Sequence, residues 1–186
     1  MMEPSAPFTF ALLALCLAAT ASCGPEPEAN APDPVALAPY TAADSALFDD
    51  TFSPDFFGLE RPTPVGEDRR LTARARSAAL VLAGRVSTVT RDRRDALESY
   101  VLVLTPTGVV RGESSAGPIT LEVDASSPSF PWIRSTETDL VGRGVILFAK
   151  RYNDHGARVL HWHAEADTPE IRRAVESAML VSEVGS

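Results

Sequence analysis

Five runs of β-branched and aliphatic residues constrain this chain more than anything else in it. They are SAALVLAGRVSTVT (77–90), SYVLVLTPTGVVRGE (99–113), ITLEVD (119–124), GVILFAK (144–150) and ARVLHWHA (157–164). Side chains branched at Cβ lose rotamers in a helix and pack well on a pleated surface, and each run is bounded by glycine, proline or charge. ITLEVD alternates cleanly, which predicts Ile119, Leu121 and Val123 inward and Thr120, Glu122 and Asp124 outward. Gly84 and Pro106 interrupt their runs, so a bulge or bend is expected at each. Helical patterns are few. LTARARSA (71–78) reads as a short helix. TPEIRRAVESAML (168–180) reads as a C-terminal one, with Thr168 as N-cap, Pro169 in its first turn and an apolar stripe of Ile171, Ala174, Val175 and Ala178. The expected fold is mostly β: a five-stranded Greek-key barrel with a C-terminal α-helix.

The chain before these runs has a different character. Phe8 to Ala19 (FTFALLALCLAA) is apolar over the length of a signal-peptide core and too short to span a bilayer comfortably. Small residues and Cys23 follow. GPEPEANAPDPVALAPY (24–40) is proline, alanine and acid, which cannot bury enough apolar surface to offset chain entropy. The expected organisation is a signal peptide over 1–22, an N-terminal cysteine and acidic linker over 23–66, and a folded domain over 67–186. Residues 24–66 hold eight acids and one base, Arg61, a net of −7, whereas 67–186 balance sixteen acids with sixteen bases. With no basic stripe anywhere, a nucleic-acid partner is not expected. Cys16 would leave with the signal and Cys23 would stand alone, so the folded domain has neither a disulfide nor a thiolate site.

Within the linker, ALFDDTFSPDFFGL carries Phe48, Phe52, Phe56 and Phe57, half of the eight phenylalanines. Two readings stand: a segment that folds back on the domain, or a docking motif for a partner.

Two resemblances come from short motifs. ALCLAATASCG resembles the lipobox of bacterial lipoproteins, with Ala21 and Ser22 before Cys23 and Thr20 where that family usually has Leu. The resemblance implies a lipid on Cys23, a membrane anchor and a place in the cell envelope; cleavage after Ala21 would instead release a secreted soluble protein. Gly84-Arg85-Val86, Val110-Arg111-Gly112 and the run Gly144 to Ala149 resemble the netrin-like branch of the OB-fold, which includes the tissue metalloproteinase inhibitors, over residues 76–165. This implies an OB-like barrel. The inhibitors' mechanism does not carry over, because it rests on cysteines that this domain lacks.

Chemistry-bearing candidates are few. His161 and His163 flank Trp162, and alternation puts Leu160, Trp162 and Ala164 on one face and both histidines, with Glu165, on the other. Such a set could hold zinc through two imidazoles and a carboxylate, with Asp154 or His155 nearby; the alternative is a solvated strand face. Phe130-Pro131-Trp132, in the connection ASSPSFPWIRSTETD (125–139), is expected to be a loop whose aromatics either bind a ligand or plug one barrel end. No nucleophile elbow or phosphate loop occurs, and no catalytic residue is assigned. The leading expectation is a binding module for an envelope protein or polymer, followed by a metal-binding domain using His161 and His163, then an enzyme.

Overall fold

The computed structural model describes residues 37–94, 97–113 and 117–184. The expected signal peptide, Cys23 and the linker up to residue 36 lie outside the described residues.

The fold is mostly β, a curled six-stranded mixed sheet forming a half-barrel. The strands are β1 (Thr51–Phe52), β2 (Leu80–Arg94), β3 (Leu97–Arg111), β4 (Ile119–Asp124), β5 (Gly144–Asp154) and β6 (Ala157–Ala166), ordered β1-β6-β5-β2-β3-β4. The last five match the five apolar runs and pair antiparallel; β1, only two residues long, lies parallel to β6. The order β5-β2-β3-β4 is a Greek key: three hairpin-linked strands and a fourth that returns beside the first. The β2–β3 ladder shifts register between Ala83 and Gly84, where Gly84 faces Pro106. A Cβ at Gly84 would press against the Thr105 carbonyl oxygen at 3.2 Å. In β4, Leu121 and Val123 are buried while Thr120, Glu122 and Asp124 are exposed.

Both sheet faces are covered. One face packs Leu82, Leu102, Leu121, Leu147 and Trp162 against helix α3 (Phe130–Leu140) and the phenylalanine-rich segment. The other packs Val81, Ile146 and Phe148 against α2 (Arg69–Ser77) and α4 (Pro169–Val184). Asp68 caps α2 by accepting from the amides of Arg70 (2.9 Å) and Leu71 (3.0 Å). Thr168 caps α4, accepting from the Ile171 amide at 3.2 Å. A four-residue helix, α1 (Ala42–Ser45), precedes the sheet and carries a capping box between Thr41 and Asp44.

Two expectations are corrected. The compact unit begins at Leu37, not at residue 67. Phe48, Phe52, Phe56 and Phe57 are all buried, and burying four such rings outweighs the cost of ordering an acidic stretch. Of the two readings of that segment, folding back is the one seen. The second correction concerns 125–139. Helix α3 occupies most of that stretch in place of a loop, because Pro131 suits a first helical turn and Phe130, Ile133 and Leu140 give it a buried face.

Candidate functional site

A cleft of about 740 Å³ runs along the β1 side of the sheet and reaches residues from both faces. It is built from four parts of the chain. The phenylalanine-rich segment and the turns after it supply Phe52, Phe57 and Arg61; α2 supplies Arg69, Arg70 and Arg74; Trp132 comes from α3 and His163 and Glu165 from β6.

The alternation read from HWH holds. Trp162 and Ala164 lie in the core shared with Phe52, and the Trp162 ring meets Phe52 edge-on at 5.1 Å. The opposite face is not solvated, which corrects that expectation. His161, His163 and Glu165 are 7%, 5% and 0% exposed: residues 40–50 lie across the two histidines, and Arg61 and Arg74 close over Glu165.

Covering that face favours partners for the polar groups placed on it. His163 Nδ1–H donates to Asp49 Oδ1 at 2.6 Å, and the Thr51 hydroxyl donates to the same oxygen at 2.8 Å. His161 Nδ1–H donates to Asp50 Oδ2 at 2.7 Å, while the other carboxylate oxygen accepts the Trp162 amide at 2.9 Å. A carboxylate only accepts, so each Nδ1 must carry the proton. Asp50 holds a left-handed conformation (φ 52°), which aspartate tolerates better than most residues. Tyr40 stacks flat on His161 at 3.6 Å, and its hydroxyl donates to the Phe48 carbonyl.

Glu165 is the centre of the buried charge. It accepts from Arg61 Nη1 at 2.6 Å and Arg74 Nη1 at 3.3 Å. Arg61 reaches on to Asp55 (3.0 Å) and Asp68 (2.8 Å), and Arg74 Nε donates to the Leu47 carbonyl at 2.7 Å. Burial works to raise the Glu165 carboxyl, but His163 and Arg61 beside it outweigh burial and hold it down at about 2. Asp49 follows the same pattern: burial raises it, and His163, Thr51 and Arg74 bring it below the usual carboxylate range. At Asp50 burial wins, and the carboxyl is raised despite His161 and the Trp162 amide. Burial and the charges of Asp50 and Asp49 push the Tyr40 phenol up to about 12.

Two side chains are left with buried, unused atoms on this floor. His163 Nε2 lies 3.3 Å from Glu165 Oε1 but outside hydrogen-bond geometry, and Arg61 Nε has no partner. His161 Nε2 also lacks a hydrogen bond; its nearest acid is Asp154, at 3.6 Å. The two Nε2 atoms therefore approach different carboxylates, and both Nδ1 atoms are engaged. Among the described residues, no group of three or more His, Cys, Asp or Glu side chains is placed to hold a metal ion. His155 is exposed at a turn, 3.7 Å from Asp154.

The two aromatics of the FPW stretch separate. Phe130 is buried and packs on Tyr100 with ring centroids 5.2 Å apart. Trp132 is 45% exposed on the cleft wall. Asp49, Asp50, Arg61 and Arg74 were not picked out from the sequence as site residues. One signal was available: Arg61 is the only base in an acidic stretch, and a lone cation among acids is a natural hub for them.

No known protein family matches the chain, and no curated protein matches it.

Proposed function

We propose that this chain is an exported, lipid-anchored cell-envelope protein that acts as a binding module, with the cleft beside Trp132 as its site. One observation carries the reading: a tryptophan left half exposed on the wall of a cleft whose floor is a fixed network of buried charge. Apolar walls around a few oriented polar groups are the usual make-up of a ligand site, and about 740 Å³ falls in the range of such sites. A buried charge network is costly to maintain for stability alone.

The anchor rests on Phe8 to Ala19 and Cys23 in the sequence. Among the described residues no helix is long and apolar enough to cross a membrane. An OB-like assignment for the barrel is supported by the Greek-key strand order and by the partly open, curled sheet.

Two variants test the reading. Wild type should partition into detergent and Cys23→Ser into the aqueous phase; identical partitioning would remove lipidation. Wild type should photo-crosslink an envelope component that Trp132→Ala loses at unchanged melting temperature. Equal capture by both proteins would remove the cleft as the site.

A further inference from the structure

We propose that the cleft selects an acidic saccharide, stacking a sugar ring on Trp132 and drawing its carboxylate toward Arg69 and Arg70; this rests on the binding-module reading above. Most charges of the lining are already used. Asp49 is taken by His163 and Thr51, Glu165 by Arg61 and Arg74, and Asp68 by Arg61 and the start of α2. Among the described residues Arg69 and Arg70, both exposed on the cleft, have no ion-pair partner. The lining has two exposed acids, Glu67 and Asp49, and Asp49 is already engaged by His163 and Thr51, which leaves Glu67 alone against these two free cations. Charge left over for a ligand is therefore positive, though the lining as a whole is balanced.

Arg61 Nε is buried without a partner and can only donate. His163, 5% exposed, makes no hydrogen bond through Nε2, whose nearest acid is Glu165 at 3.3 Å. Both atoms are closed to solvent, so they shape the floor without touching a ligand directly. Trp132 supplies the remaining element, an exposed indole face for the apolar side of a pyranose ring. A peptide strand is a poorer fit. Extending β1 would need its amides, and Phe52 N–H already donates to Ser129 Oγ (2.9 Å) and Ser53 N–H to the Ala164 carbonyl (2.8 Å).

The test is calorimetric titration of the mature chain with disaccharides of galacturonate, glucuronate and muramic acid, with a neutral galactose disaccharide and an acidic hexapeptide alongside. At least one acidic saccharide should bind, weaken with added salt, and lose about tenfold or more in affinity in Arg69→Gln/Arg70→Gln and in Trp132→Ala. All three side chains are at least partly exposed, so melting temperatures should not move. Equal binding of the neutral sugar, or binding of the peptide alone, overturns the proposal. Binding of no saccharide while Trp132-dependent crosslinking persists also overturns it and leaves the binding-module reading intact. Loss of both removes both.

Discussion

Glu165→Gln is the substitution whose consequences the structure fixes best. The carboxylate is fully buried between Arg61 and Arg74, and Arg74 is itself only 4% exposed. Its carboxyl falls from an ordinary 4.5 to about 2 in the fold. A depressed folded value means stability that is fully present above about pH 4.5 and lost as pH falls towards 2. The linkage amounts to about 3 kcal/mol at neutral pH. Breaking a buried ion pair from one side gives a similar figure, about 3–5 kcal/mol, because Arg74 is left with an uncompensated charge. Urea unfolding at pH 7 should therefore show Glu165→Gln destabilised by about 3 kcal/mol or more, and the gap should shrink to under about 1 kcal/mol near pH 2, where the wild-type carboxyl is itself half protonated. Removing both charges, as Glu165→Leu with Arg74→Met, should recover much of the loss. A gap at pH 7 below about 1 kcal/mol, or one unchanged by pH, would refute the assigned electrostatics.

Other outcomes follow from the same packing. Trp162→Ala should cost about 3–5 kcal/mol by denaturant unfolding, since the ring is buried among Phe52, Leu147 and their neighbours. Trp132→Ala should cost under about 1 kcal/mol by the same measurement, because nearly half of that side chain is already in water. Gly112→Ala should lower the melting temperature sharply: the position has φ +82° and an added Cβ would sit 2.2 Å from the Ala79 carbonyl oxygen. A chain beginning at residue 67 should lose cooperative unfolding in calorimetry, whereas one beginning at 37 should keep it, because the missing segment carries Phe48, Phe52, Phe56 and Phe57 of the two cores.

The sheet was legible because period-two alternation is local. ITLEVD and VLHWHA each show which side chains point together, and a bulge was readable at Gly84 and Pro106 from backbone chemistry alone. What covers the far face was not local. His161 and His163 find their carboxylates 111 and 114 positions earlier, at Asp50 and Asp49, and no spacing rule reaches that far. Without those partners, a polar strand face reads as solvated. The FPW helix was hidden for another reason. Pro131 marks a turn or a helix start equally well, and the buried positions Ile133 and Leu140 sit among Ser, Thr and charge, so the apolar period is faint. Phe48 and Phe52 do show a shared spacing, but spacing alone could not say whether they meet this domain or a partner.

Residues 48–57 form a wall of the cleft and pin the two histidines. Native-state hydrogen exchange on the mature chain tests that directly. The amides of Asp50, Phe52 and Ser53 donate to the Trp162 carbonyl, Ser129 Oγ and the Ala164 carbonyl, and should be protected to nearly the same degree as those of β5 and β6. Exchange at those amides as fast as in an unstructured peptide would mean that the segment is not part of the domain, and the cleft would lose that wall.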